Sequence, residues 1–265
     1  MNTNYRSLSK DDKNKVVSFV VKNYKNIPTK EIAEKFVVGI NTIHRIARLN
    51  NLSRPNLQDF IINEIQNQIL IGGILGDGNF KTNGKSSCYY RECHSVLEKD
   101  YLMWKNDQLK PMVTGNIVDI KARAQNQNNQ VGFQTRNSPS FNKYKSMSID
   151  NVIDNIDELG LLVWMLDDGW IHNSKIGFSM SYCVSGGSMT LEQKNKLKNR
   201  IYEVMAIEFN LVGKKSVDFR MYSRYNEKLL DYMLKYFDMS MDIMIKKFKT
   251  MHLKYKLGIR ESPLL

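Results

Sequence analysis

The chain has 265 residues, of which 42% are hydrophobic and 25% are charged, a composition that excludes wholesale disorder. Lys and Arg number 39 against 27 acidic residues, so the net charge is +12 and a polyanionic partner is expected. The longest apolar runs are too short to span a bilayer, and the first residues lack the apolar core of a signal peptide. Three cysteines without a CxxC pair argue against a disulfide scaffold and a structural zinc site. We therefore expect a nucleic-acid-binding protein of a reducing compartment, neither secreted nor bound to a membrane.

The first 58 residues carry much of the positive charge, with 11 Lys or Arg residues against 4 acidic ones. Their apolar spacing predicts helices over 11–24, 29–36 and 41–49, with a turn in which Gly39 takes a positive φ and Asn41 caps the third helix. The pattern resembles a helix-turn-helix unit over residues 1–55, whose last helix enters the major groove. A three-helix packing module with a solvated basic face is the alternative. The outward residues of the third helix are the predicted DNA contacts: Asn41, Thr42, His44, Arg45 and Arg48.

Two segments of the remaining chain look alike. Residues 70–78 are LIGGILGDG and residues 161–169 are LLVWMLDDG, so each is an apolar helix that ends in Asp-Gly. The two aspartates, Asp77 and Asp168, stand 91 residues apart, and similar strand-like segments follow at 131–134 and 217–220. A single Asp-Gly after an apolar helix is often only a helix stop. Two copies in matched context favour a duplicated unit that carries chemistry.

Each unit is predicted to run helix, strands, helix, strands, helix. In the first unit we predict strands at 88–95, 117–123 and 129–135 and a helix over 98–109. In the second we predict strands at 175–183 and 215–222 and a helix from Thr190 to Phe209 with Leu191 inward. Trp104, Trp164 and Trp170 are predicted in or near the core. The fold class is α+β, with helices on one face of antiparallel sheets and domain boundaries at 55 and 158.

These features resemble the LAGLIDADG homing endonucleases, in the single-chain form with two motif copies, over about residues 57–257. The resemblance implies αββαββα halves with pseudo-two-fold symmetry and a monomer that cuts both strands of a long double-stranded DNA site. It also implies mobility of an intron or intein-like element in the cytoplasm of a bacterial or phage host or in an organellar matrix. The alternatives are a maturase that binds intron RNA and a DNA-binding regulator that does not cut.

The motif helices are expected to bring the two aspartates together. Gly72 and Gly76 share one helix face, so a partner helix can approach closely there and place Asp77 beside Asp168. Paired carboxylates suit Mg²⁺, with Mn²⁺ or Ca²⁺ as substitutes. By the resemblance, the carbonyl groups of Gly76 and Asp167 add ligands, whereas the Asp167 side chain is expected to be a solvated or helix-end acid.

The second copy departs from the first, with Val163 and Asp167 where the first has glycines, so the helices are expected to pack differently there. The resemblance also implies polar and basic residues around the metal, for which we take His94, Lys145 and Lys256. Each lysine could equally be a solvated surface cation.

The polar face of the sheets is expected to contact DNA, since strand residues alternate between faces. The predicted contacts are Arg91, Lys121, Arg123, Gln134, Arg136, Lys175, Lys215, Arg220 and Arg224. Of these, Lys121 and Lys215 compete for the catalytic lysine role.

Overall fold

The computed structural model describes residues 5–24, 27, 29–52, 59–82, 87–120, 129–173, 180–213 and 217–255. The chain divides into two compact units, residues 1–58 and residues 59–265. The finer division of the second unit at residue 158 stays a prediction. Within the described part of the chain, none of the helices is both long and apolar enough to cross a membrane.

The first unit is a three-helix module formed by α1 (Lys10–Asn23), α2 (Thr29–Lys35) and α3 (Ile40–Leu49). Helix α1 begins after Ser9, whose side chain accepts a hydrogen bond from the Asp12 N–H at 3.0 Å. Helices α2 and α3 each bury one apolar face, although Ile40 and Leu49 at the two ends of α3 are 44% and 72% exposed. The buried residues of this small core are Val16, Val20, Tyr24, Ile32, Ala33, Val38, Ile43, Ile46 and Ala47.

The turn between α2 and α3 differs from the prediction. Gly39 has a φ of −68° and is itself the residue that precedes α3, so Asn41 lies inside the helix rather than at its cap. The positive φ of 55° belongs to Val37, which is 48% exposed. A β-branched residue in the left-handed region is strained, and the packing of Val38 into the core holds it there. Val21 of α1 is 45% exposed and is not part of this core.

The second unit contains the same succession of elements twice. In the first half these are α4 (Glu64–Leu75), β1 (Asn79–Thr82), β2 (Cys88–Ser95), α5 (Lys99–Gln108), β3 (Val118–Ile120), β4 (Gln130–Gln134), α6 (Asn142–Lys145) and α7 (Ile149–Asn155). In the second half they are α8 (Glu158–Asp168), β5 (Gly169–Asn173), β6 (Met180–Val184), α9 (Leu191–Met205), β7 (Phe209–Val212), β8 (Asp218–Met221), α10 (Asn226–Tyr236) and α11 (Asp242–Tyr255).

Each half has one four-stranded antiparallel sheet, and the two sheets share one topology. The strand order is β1-β2-β4-β3 in the first and β5-β6-β8-β7 in the second. The register matches as well, because Glu92 pairs with Phe133 in the first sheet and Val184 pairs with Phe219 in the second. The predicted α+β fold with two pseudo-symmetric halves is confirmed.

The motif helices α4 and α8 pack against each other in the core. Every residue of α8 from Leu159 to Leu166 is buried, as expected of a helix that is apolar on all sides. A Cβ atom on Gly72 would lie 2.4 Å from the carbonyl oxygen of Gly160, and one on Gly76 would lie 2.5 Å from Oδ2 of Asp167. The close approach predicted at this glycine face is therefore confirmed.

The bulkier residues of the second motif fit the glycines of the first. The Cβ of Val163 would be 2.9 Å from a Cβ added to Gly72, and Asp167 occupies the matching space beside Gly76. The two helices thus pack through complementary small and large residues, so the departure in the second motif does not hold them apart.

Helix α9 is shorter than predicted. It begins after Thr190, which forms a capping box with Gln193, and it ends at Met205, after which Ala206 has a left-handed φ of 49°. Phe209, predicted as helical, starts β7, and Leu191 is 61% exposed rather than inward. In the strand that follows Asp168, Trp170 is 41% exposed, so its predicted place in the core is wrong.

Candidate active site

The ends of the two motif helices meet where the sequence places its paired aspartates. Asp168 is the last residue of α8, and Asp77 follows the last turn of α4. The backbone N–H of Asp77 donates to Oδ2 of Asp167 at 3.3 Å, which joins the two motifs directly. The side chain of Asp77 remains 44% exposed and so is open to a ligand.

Asp77 and Asp168 are carboxylates that the protein makes costly to ionise. Burial, followed by repulsion from Asp167, raises the pKa of Asp77 to about 6. Burial, followed by repulsion from Asp77 and Asp167, raises the pKa of Asp168 to about 6. A like-charged pair of this kind is characteristic of functional sites, and a divalent cation would stabilise its ionised form.

Beneath this pair, Asp167 is the acceptor of a buried ion-pair network. Its side chain is 0% exposed, whereas the sequence led us to expect a solvated acid at the helix end. Nζ of Lys105 lies 2.7 Å from Oδ1 and 3.0 Å from Oδ2, and the hydroxyl of Tyr101 donates to Oδ1 at 2.9 Å. Burial raises the pKa of Asp167, and Lys105 opposes that rise.

Lys105 also bonds a second buried acid, Glu92 of β2. Both side chains are 0% exposed. Burial opposes the charge on Glu92, but Lys105 and His94 outweigh burial and hold the pKa of Glu92 below its usual range. Buried charges persist only when they are paired in this way.

His94 links this network to Asp77. Its Nδ1 lies 3.5 Å from Oδ2 of Asp77 and 3.3 Å from Oε2 of Glu98, and its Nε2 lies 2.6 Å from Oε1 of Glu92. Burial opposes the charged form, but Glu92 and Glu98 outweigh it and raise the pKa of His94 to about 10. His94 is therefore an imidazolium near neutral pH, with both ring nitrogens donating.

The donor chemistry at the motif ends fits a hard divalent cation at Asp77 and Asp168. Among the described residues, Asp77, His94 and Asp167 bring one ligand atom each within 4.8 Å of one another. Both ring nitrogens of His94 already contact the carboxylates of Glu92 and Glu98, however, and both carboxylate oxygens of Asp167 accept from Lys105. That trio is an ion-pair cluster, which leaves Asp77 and Asp168 as the carboxylates available to a metal.

Lys145, one of the lysines predicted for the site, lies at the end of α6, where its Nζ donates to Oγ1 of Thr82. Lys256 lies outside the described residues. A different lysine, Lys247 of α11, is buried and donates to the carbonyl oxygen of Leu166 at the end of α8. Among the described residues, Lys105 and Lys247 are the lysines at the motif ends, and sequence reasoning missed both.

The first sheet presents an outward face with predicted DNA contacts on it. Arg91 of β2 and Gln134 of β4 are neighbours in the register, and both are exposed. Arg136, just beyond β4, is exposed too. Four other predicted contacts lie outside the described residues: Lys121, Arg123, Lys175 and Lys215.

The two arginines predicted as DNA contacts in the second half, Arg220 and Arg224, lie in different environments. Arg220 of β8 lies on the same face as Asn210 and Cys183, its register partners, and is half-buried. Arg224 lies in the turn after β8 rather than on a strand, and it is ion-paired with Glu208. Its guanidinium group is 4.9 Å from the ring centres of both Tyr222 and Tyr225.

In the first unit, the predicted contacts of α3 do point outward. Asn41, His44, Arg45 and Arg48 are exposed and Thr42 is half-buried. The His44 ring also contacts its own unit, since its Nδ1 lies 3.3 Å from the hydroxyl of Tyr24.

Two signals in the sequence could have revealed the buried network. Glu92 alternates with Tyr90 and His94 on the inward side of β2, so it is a charged residue in an apolar register. Lys105 follows Tyr101 and Leu102 on the inward side of α5 at helical spacing. A charged residue is rarely buried in a core unless it is paired with an opposite charge. A buried Glu92 and a buried Lys105 therefore predict each other as partners.

Comparison with known proteins agrees with this fold. Residues 67–230, more than half of the chain, match the model of the LAGLIDADG DNA endonuclease family. A search of curated proteins gave no match. Among solved structures, the homing endonuclease I-WcaI bound to its DNA recognition sequence is similar with a TM-score of 0.62 at 18% identity, covering 76% of this chain and 97% of that chain.

Two further structures are more distant. The LAGLIDADG homing endonuclease I-GzeII in complex with its DNA target has a TM-score of 0.45 at 11% identity and covers 73% of this chain and 92% of that chain. I-SmaMI bound to uncleaved DNA in the presence of calcium ions has a TM-score of 0.40 at 8% identity and covers 64% of this chain and 84% of that chain. The family match, the duplicated fold and the paired motif helices agree, and the chain belongs to the LAGLIDADG DNA endonuclease family.

Proposed function

We propose that this protein is a site-specific homing endonuclease that makes a metal-dependent double-strand break in a long DNA target. The observation that carries the proposal is the meeting of the two motif ends, where the Asp77 N–H bonds Asp167 and the pKa values of Asp77 and Asp168 are both raised to about 6. One aspartate from each half provides one centre for each DNA strand.

In this proposal Asp77 and Asp168 hold divalent cations, and the carbonyl groups of Gly76 and Asp167 add oxygen ligands. When bound, Mg²⁺ activates water and neutralises the charge that develops on the phosphate, and Mn²⁺ or Ca²⁺ can occupy the same oxygen ligands. His94, 3.5 Å from Oδ2 of Asp77, orients that carboxylate and brings a positive charge close to it.

The DNA would lie across the outward faces of the two sheets. Arg91 and Gln134 are suited to guanine and adenine edges, whereas Lys145 is suited to phosphate. The exposed cations of α3 support a second, helix-turn-helix contact by the first unit.

The proposed biology is the mobility of an intron or intein-like element. Because one chain carries both motif copies, a monomer is sufficient for cutting two strands. The protein would encounter its DNA target in the host cytoplasm or in an organellar matrix.

The test is cleavage of a supercoiled plasmid that carries the joined flanks of the gene's insertion site, with Mg²⁺ or with chelator. We expect linear product with Mg²⁺ only, and a loss of at least about a hundredfold in Asp77→Asn and Asp168→Asn with DNA binding retained. Asp107→Asn is the matched control, because Asp107 is a 60% exposed surface acid paired with Lys110.

Two results would overturn the proposal in favour of another function. Tight DNA binding without cleavage under any divalent metal would indicate a regulator. Tight binding of the intron RNA with rescue of its splicing, and no cleavage of the plasmid, would indicate a maturase.

A further inference from the structure

Trp170 is a large aromatic side chain that the core leaves in contact with solvent. It is the second residue of β5, two positions after Asp168, and it is 41% exposed. The other two tryptophans differ from it, because Trp164 is fully buried and Trp104 is half-buried and stacked on Tyr101. Tryptophan is highly buried on average, and tryptophans on a surface are enriched at interfaces. The position of Trp170 therefore suggests a contact with a partner.

The backbone of β5 ties Trp170 closely to the motif end. Gly169 lies against the last turn of α8, since a Cβ atom there would collide with the carbonyl oxygen of Met165 and with the hydroxyl of Tyr182. That hydroxyl donates to the same carbonyl oxygen at 2.7 Å. The indole thus projects from backbone that is anchored to the motif helix directly beside Asp168.

The strand register places Trp170 on the outward face of the second sheet. Ile171, the next residue, packs against the core, so Trp170 points the other way. One row crosses the outward face through successive register partners, which are Trp170, Cys183, Arg220 and Asn210. Cys183 is 1% exposed although it is not part of the core cluster, so its neighbours on this face cover it.

The matching position of the first half is polar. Asn79 is the second residue after the motif aspartate, as Trp170 is in the second half. The row that begins at Asn79 continues through Arg91 and Gln134, and all three residues are exposed. Amide and guanidinium groups bind the polar edges of bases, whereas an indole offers an apolar ring and a single N–H. The same place in the second half is therefore suited to an apolar contact.

The surroundings of Trp170 favour DNA over a protein partner. The other side chains of its row that reach the surface are polar or cationic, the half-buried Arg220 and the exposed Asn210. A protein-binding patch is a contiguous apolar area, whereas Trp170 is a single apolar group in a chain of net charge +12. In the major groove the one apolar feature of a base edge is the 5-methyl group of thymine.

We infer that Trp170 is a specificity-determining residue, whose indole ring packs against the 5-methyl group of a thymine in the half-site bound by the second sheet, close to the phosphate at the Asp168 centre. The inference rests on the proposed endonuclease function. It makes the two half-sites chemically different, with an apolar contact beside Asp168 and polar contacts beside Asp77.

The first test follows binding by tryptophan fluorescence in chelator, so that no cleavage is needed. The insertion-site duplex should quench the emission of the wild-type protein. The quenching should be lost in Trp170→Phe, because Trp164 lies in the core and Trp104 is stacked against it. Equal quenching in the wild type and in Trp170→Phe would overturn the inference.

The second test removes the methyl group from the DNA. Each thymine of the duplex is replaced in turn by deoxyuridine, which lacks only that group. At one position beside the cleavage site, the replacement should weaken wild-type binding about fourfold, the effect of one buried methyl group. Trp170→Ala should bind the unmodified duplex about tenfold more weakly and should not respond to deoxyuridine at that position. A non-additive pair of this kind identifies a direct contact.

Tyr202→Ala is the matched control, since Tyr202 is a 53% exposed aromatic residue of α9 and not of the outward sheet face. It should retain the fourfold response of the wild type to deoxyuridine. Circular dichroism checks that Trp170→Ala folds, and Trp170→Asn, which has the residue type of the matching position in the first half, accompanies it as a second variant that lacks the indole.

The outcomes separate this inference from the proposed function. A protein that binds and cuts the duplex, but in which no deoxyuridine effect depends on Trp170, would overturn the inference and leave the endonuclease proposal intact. A protein that neither binds nor cuts the duplex would overturn both.

Discussion

Replacement of Asp168 by asparagine is expected to stabilise the metal-free protein near neutral pH. Burial and the neighbouring acids raise the pKa of Asp168 from 3.8 to about 6, so the folded state binds this proton more tightly than the unfolded chain does. Ionisation therefore costs folding free energy, and the cost grows from about pH 4 and is complete above about pH 6. Asparagine has the same shape and carries no charge, so it avoids this cost.

The size of the effect follows from the pKa difference. A difference of about 2 corresponds to about 3 kcal/mol, of which about half is present at pH 5. Asp168 is partly exposed and shares its repulsion with Asp77, so solvent and coupling reduce the expected gain to about 1–2 kcal/mol. In a domain of this size that gain raises Tm by about 3–6 °C.

The assay is thermal unfolding by circular dichroism in chelator at about pH 7.5 and about pH 5, with Asp107→Asn as the exposed-acid control. The gain for Asp168→Asn should be larger at the higher pH, and Mg²⁺ should stabilise the wild type more than the variant. A variant less stable than the wild type at pH 7.5, or an equal gain at both pH values, would refute the electrostatic reasoning.

Three further predictions concern other parts of the fold. Gly76→Ala should lower the free energy of unfolding by about 1–3 kcal/mol in urea titrations, because its Cβ would lie 2.5 Å from Oδ2 of Asp167. Ala206→Gly should raise it by about 1 kcal/mol, since a φ of 49° strains alanine at the end of α9; an unchanged midpoint would contradict this. Arg91→Ala should weaken binding to the insertion-site duplex by about 1–3 kcal/mol and reduce its salt dependence, whereas Arg224→Ala should change neither, because Glu208 already neutralises Arg224.

The sequence alone was sufficient for the duplicated fold and for the position of its motifs. The two Asp-Gly helix ends, the glycine face of α4 and the strand β2 all follow from local spacing, which a helix or strand imposes on its own residues. Turn and helix ends were less predictable. Val37 rather than Gly39 takes the positive φ, because core packing can hold a residue in a backbone region that it would not choose.

Only the tertiary structure decided the role of Asp167 and revealed its partners. In the sequence Asp167 is one more acid at a helix end, but the packing of α8 against α4 places its carboxylate beside Gly76 and within 2.7 Å of Lys105. Lys105 and Asp167 are 62 residues apart in the chain, and no local pattern links them. The period of a helix determines which of its residues share a face. Which charges meet on a buried face depends on which other elements the tertiary fold packs against that face.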